Sequence, residues 1–142
     1  MTAIALAACP LLAGNSCHDT RANDPAPIAL NVTGDWIGTW ISADGVSGGQ
    51  MRLSLDQTAM VGVTTSFDGL GDMEGLCLFG NWPVVGGTVG NLISASIANA
   101  VQITAVESFD GAIRGEFLVT GGPLWCQGNT GTIVLVRNVP GP

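Results

Sequence analysis

The sequence predicts an all-β protein: an eight-stranded antiparallel up-and-down barrel behind a flexible N-terminal leader. Three observations predict it. From Thr33 onward short apolar runs alternate with polar residues at a period of two, which buries one face of each strand. Those runs are separated by Gly-, Asn- and Asp-rich turns, and no stretch carries a helical stripe with caps. Finally, 21 glycines in 142 residues suit sharp turns and close strand approach rather than helices.

The strands are expected at 34–42, 50–57, 59–67, 83–89, 92–98, 100–108, 112–120 and 130–137. Asp44-Gly45, Gly90-Asn91 and Asp110-Gly111 supply hairpin turns. Connections this short make neighbouring strands antiparallel, and eight of them in sequence can close and remove both edges. A two-sheet sandwich is the rival, which the repeated short hairpins disfavour. Alternation puts Met51, Leu53 and Leu55 inside and Arg52, Ser54 and Asp56 outside. Ile93, Ala95 and Ile97 oppose Ser94 and Ser96, while Ile113, Phe117 and Val119 oppose Arg114 and Glu116. On the last strand Ile133 and Leu135 share a face with Arg137. Gly38, Gly62 and Gly115 are expected inside strands, at bends or close approaches.

The chain divides into a leader and tether (1–32), the barrel (33–138) and a short tail (139–142). Residues 1–13 are apolar but too short to span a bilayer, and they look like the end of a secretory signal without its basic region. Leu6-Ala7-Ala8-Cys9 looks like a bacterial lipobox, which makes Cys9 the lipidation candidate and a cell-envelope or secreted location the expectation. An ordinary cleaved signal is the alternative. Residues 14–32 read as a tether.

The first strand, Thr33-Gly34-Asp35-Trp36-Ile37-Gly38-Thr39-Trp40, resembles the opening of the calycin barrels, the lipocalins and avidins. The resemblance implies that Trp36 plugs one barrel end and that Arg137 packs across it. It stops there: no second lipocalin motif and no avidin-type polar set for biotin is present, and the chain has no Tyr. The chain also looks like small barrels of bacterial envelope lipoproteins.

Of four cysteines, Cys77 and Cys126 lie in Gly-rich loops of the domain, and an exported chain is expected to join them. The alternative is a pair of buried thiols. Cys17 is left over, or pairs with Cys9 if that residue is not lipidated.

Composition excludes several functions. The formal charge is −7 with four scattered arginines and no Lys, so a nucleic-acid partner is not expected. The single His, His18, lies in the tether, so a catalytic imidazole or a His-based zinc site in the barrel is not expected either, and neither enzyme activity nor a cofactor is inferred. The segment from Asp68 to Glu74 reads as a solvated acidic loop; its three carboxylates could offer oxygen ligands to Ca²⁺, but their spacing matches no known calcium loop.

Two functions remain. One is a binder of a small apolar ligand, with Trp40, Leu53, Leu55, Ile103 and Phe117 in the barrel and Phe79, Trp82 and Trp125 at its mouth. The other is an interaction barrel of the envelope, for example a hydrolase inhibitor, whose interior is filled and whose loops touch a protein. In both the protein is a monomer that meets the membrane only through its lipid anchor.

Overall fold

The computed structural model describes residues 30–77 and 80–139. Eight strands follow one another: β1 (Gly34–Ser42), β2 (Gly48–Val61), β3 (Thr64–Met73), β4 (Trp82–Val89), β5 (Leu92–Ile97), β6 (Val101–Glu107), β7 (Ile113–Val119) and β8 (Thr130–Arg137). Each pairs antiparallel with the next, and β8 returns to β1, so the sheet is a closed barrel. No helix occurs among the described residues. The upper end carries the loops 43–47, 74–81, 98–100 and 120–129. The lower end carries the chain entry at Leu30 and the connections 62–63, 90–91 and 108–112.

Alternation sets the faces as the sequence predicts. Met51, Leu53, Leu55, Ile93, Ile97, Ile113, Phe117, Val119, Ile133 and Leu135 are all buried. Large inward side chains face inward glycines across the ladder: Trp40 opposite Gly49, Leu53 opposite Gly71, Phe67 opposite Gly86 and Phe117 opposite Gly131. A Cβ on Gly71 would lie 2.7 Å from Leu53 Cδ2, one on Gly86 2.6 Å from Phe67 Cζ, and one on Gly131 2.7 Å from Phe117 Cε1. Each glycine thus leaves the volume its partner fills, which is how a narrow barrel reaches close packing. The one inward hydrogen-bonded side-chain pair described is Thr65–Thr88, whose hydroxyls meet at 2.6 Å.

The third strand departs from expectation. The predicted break at Thr58 is a β-bulge between Gln57 and Ala59, and β2 runs on to Val61. The turn falls at Gly62-Val63, where Gly62 has φ +61°, so Gly62 is a turn residue and not a strand bend. Residues 68–73 therefore belong to β3 rather than to an acidic loop. Asp68, Leu70 and Asp72 point outward; Gly69 and Gly71 point inward against Leu55 and Leu53. Of these glycines, Gly71 makes room for Leu53 and Val84, and Gly69 for the close approach of the Ser54 carbonyl.

The lower end is plugged. Arg137 lies over the Trp36 ring, its Cζ 4.4 Å from the centroid. Its guanidinium donates to the carbonyls of Thr33 (2.8 Å) and Asn31. Trp36 Nε1 donates to the Val32 carbonyl at 2.9 Å. Leu30 and Val32, read as the last residues of the tether, are buried here.

Candidate functional site

The upper end gathers most of the polar and aromatic groups a site could use. The tip of the β1–β2 loop is held by Asp44, which accepts from Ser42 Oγ (2.5 Å) and from the Val46 N–H (2.9 Å). These bonds, the Ser42 one first, hold its carboxyl below the ordinary Asp value. In the next loop the Glu74 carbonyl accepts from Trp40 Nε1 at 2.8 Å. That bond satisfies the indole and fixes it beneath the mouth. Trp40 meets Phe117 edge to face, with centroids 5.8 Å apart at 89°.

A disulfide joins Cys77 to Cys126, with Cα atoms 6.0 Å apart. It ties loop 74–81 to loop 120–129 across the mouth. Both cysteines are buried, while their neighbour Trp125 is 74% exposed and Leu124 is exposed beside it. Trp82 opens β4 at the inward register of the upper rim, opposite Gly71, and is 40% exposed. A recess of about 170 Å³ lies between these loops, with Trp40, Phe117, Ser42, Asp44, Trp125 and Asn129 among its walls.

The sequence-predicted site residues thus separate into two sets. Leu53, Leu55, Ile103, Phe117 and Trp40 are core residues with little or no accessible surface. A hollow able to admit a guest would leave its lining accessible to water, yet Trp36, Met51, Ile97, Val101, Ile133 and Leu135 all have 1% or less of their surface accessible. Trp82 and Trp125 stand at the mouth. Phe79 and Cys9 lie outside the described residues, as do Cys17 and His18. The larger concavities are open grooves on the outer wall. One of about 630 Å³ is walled by Gln102, Thr104, Glu116, Thr130 and Thr132.

Chemistry is sparse. Among the described residues no three His, Cys, Asp or Glu side chains come together as a metal site would require. Asp72 faces outward and pairs with Arg52 at 3.7 Å. No helix among them is long and apolar enough to cross a membrane. The barrel's lining is apolar.

The sequence reading missed Ser42, Asp44, Leu124 and Asn129 as mouth residues, because the β1–β2, β3–β4 and β7–β8 loops are distant in sequence and meet only in the folded barrel. The chain matches no protein-family model, no curated protein and no solved structure.

Proposed function

We propose that the protein is an exported, calycin-like barrel of the bacterial cell envelope that works by contact on its outside, as an interaction module, with the disulfide-tied mouth as its contact surface. The observation that carries this reading is the filled interior. A barrel whose bulky side chains already occupy the space opposite its glycines has no room for a guest without unpacking its core. What it does present is a rigid rim with Leu124, Trp125 and Trp82 exposed, and large aromatics on a fixed frame are the residues that anchor protein contacts. The Cys77–Cys126 bridge supports an oxidising compartment. The stack of Arg137 on Trp36 supports the calycin kinship.

The small-ligand reading keeps one foothold, the mouth recess over Trp40. At about 170 Å³ it falls below the roughly 300–1,000 Å³ of ordinary ligand pockets.

Photo-crosslinking in the native envelope separates the two. A crosslinker in place of Trp125 is expected to capture a discrete protein partner, and one in place of outward-facing Val85 is not. Identical patterns from both positions, or a stoichiometric co-purified lipid, would remove the mouth-contact reading.

A further inference from the structure

We propose that the lower end of the barrel rests on a lipid surface, its hairpin tips entering the interface of an uncharged or zwitterionic bilayer. The proposal shares only the envelope setting with the reading above and concerns the opposite end of the molecule.

Three lower-end connections form one continuous face. The Gly90 N–H donates to the Val63 carbonyl at 2.9 Å, and the Glu107 N–H donates to the Asn91 carbonyl at 3.1 Å. The face is apolar: Met60, Val61, Val89, Leu92 and Val106 are exposed on it, and Phe109 at the tip of the third connection is fully exposed. In the ladder, Val89 stands opposite Leu92 and Leu92 opposite Val106, so this is a contiguous strip. Scattered apolar residues on a surface are ordinary; a joined set ending in a bare Phe is the pattern of an interaction face.

Charge selects the occupant. Residues 57–67 and 84–95 hold no charged side chain. At the third connection Asp110 is matched by Arg114, joined to it by two hydrogen bonds of 3.1 Å, which leaves the Glu107 carboxylate at the end of β6 as the one charge of this face without such a match among the described residues. A chain with net charge −7 and no Lys is repelled by anionic head groups, which leaves neutral ones.

The chain's point of entry favours the same direction. Leu30 and Val32 pack at this lower end, and the 29 residues before them include the apolar run 1–13. An anchor in that run would bring the lower end, not the mouth, towards the membrane. The mouth would then face away from it, free for its own contacts.

The test is co-flotation of the full chain with phosphatidylcholine vesicles, comparing wild type with Phe109→Ser/Val61→Ser and with Leu124→Ser/Trp125→Ser. All share the leader, so differences report the barrel. The lower-end variant is expected to partition at least about tenfold less than wild type, and the mouth variant equally with it. Brominated phosphatidylcholine is expected to quench the added fluorescence of Phe109→Trp. Near-UV circular dichroism establishes that each variant is folded. Equal flotation of the lower-end variant, or an unquenched Phe109→Trp, overturns the proposal. So does sedimentation showing that Phe109→Ser/Val61→Ser dissolves a lipid-free dimer, since the strip would then join two copies of this chain. Because no protein partner is present, these outcomes are independent of the mouth-contact reading.

Discussion

Arg137 and Trp36, a hundred residues apart in sequence, face each other across the β1–β8 ladder, with the guanidinium 4.4 Å from the indole centroid. The same guanidinium donates to the Thr33 and Asn31 carbonyls, so one side chain closes the barrel and pins the segment beneath it. A planar group with donors on several edges can do both at once; an ammonium cannot. Arg137→Ala is expected to lower the unfolding free energy by about 1–3 kcal/mol in urea titration, the lower part of that range reflecting its exposure. Arg137→Lys should recover less than half. A lysine variant as stable as wild type would mean that charge alone matters.

The inward glycines rank by what surrounds them. A Cβ at Gly38 would fall on the Val134 carbonyl oxygen, so β1 and β8 would have to part. At Gly71 it would meet the mobile ends of Leu53 and Val84. Gly38→Ala is expected to cost more than about 3 kcal/mol and Gly71→Ala about 1 kcal/mol, read from the midpoints of thermal unfolding. The reverse order would contradict the close approach at β1–β8.

The Cys77–Cys126 bridge closes a loop of 49 residues. The chain-entropy argument assigns such a closure about 4 kcal/mol, and removal of native bridges commonly costs about 2–5 kcal/mol. The Cys77→Ser/Cys126→Ser variant should remain a barrel by far-UV circular dichroism but melt well below wild type. Amide exchange should accelerate in loops 74–81 and 120–129 before it does in β1 or β8. Uniform acceleration would show that the bridge holds the whole barrel rather than the mouth.

Asp110 accepts from Arg114, the larger cause, and from the Ala112 N–H, and both hold its carboxyl below the ordinary 3.8. Asp44 is lowered likewise. A folded-state value below the unfolded one stabilises the fold above the unfolded value, and that contribution is lost as pH falls through the folded value. Both values are lowered, so the effect is confined to acid, and both groups are solvent-exposed, so it is small. Melting temperature is expected to be flat with respect to these groups above about pH 5 and to fall below about pH 4. Asp110→Asn should flatten that acid limb, and carbon-detected NMR should place the Asp110 midpoint below 3.8. A midpoint above it would mean that the Arg114 bond is absent in solution.

Much of the barrel was legible because strand alternation and turn chemistry are local. Asp44-Gly45 and Asp110-Gly111 marked hairpins correctly, and period two put Leu53 and Phe117 inside. What failed was non-local. The bulge at Thr58 shifts the register without any composition signal. Gly69 is dictated by the close approach of the Ser54 carbonyl and Gly71 by the side chains of Leu53 and Val84, all on other strands, so from sequence they look like a loop. The β5–β6 turn places Ala98 and Asn99 at positive φ, and alanine does not advertise that conformation. The mouth was half legible: the Cys77–Cys126 pairing followed from context, whereas Asp44 and Asn129 join it only through the folded path. The filling of the interior was not legible, since it depends on which large residue stands opposite which glycine.

The central claim is that the barrel has no room inside. Titration of purified, delipidated protein with an apolar fluorescent probe, with native mass spectrometry to count bound molecules, tests it most directly. The filled core predicts no saturable binding to wild type. It also predicts that Phe117→Ala, which empties the space beside Gly131 at a cost of about 3–5 kcal/mol, gains binding of a small probe. One probe molecule bound tightly and stoichiometrically by the wild-type protein would contradict it.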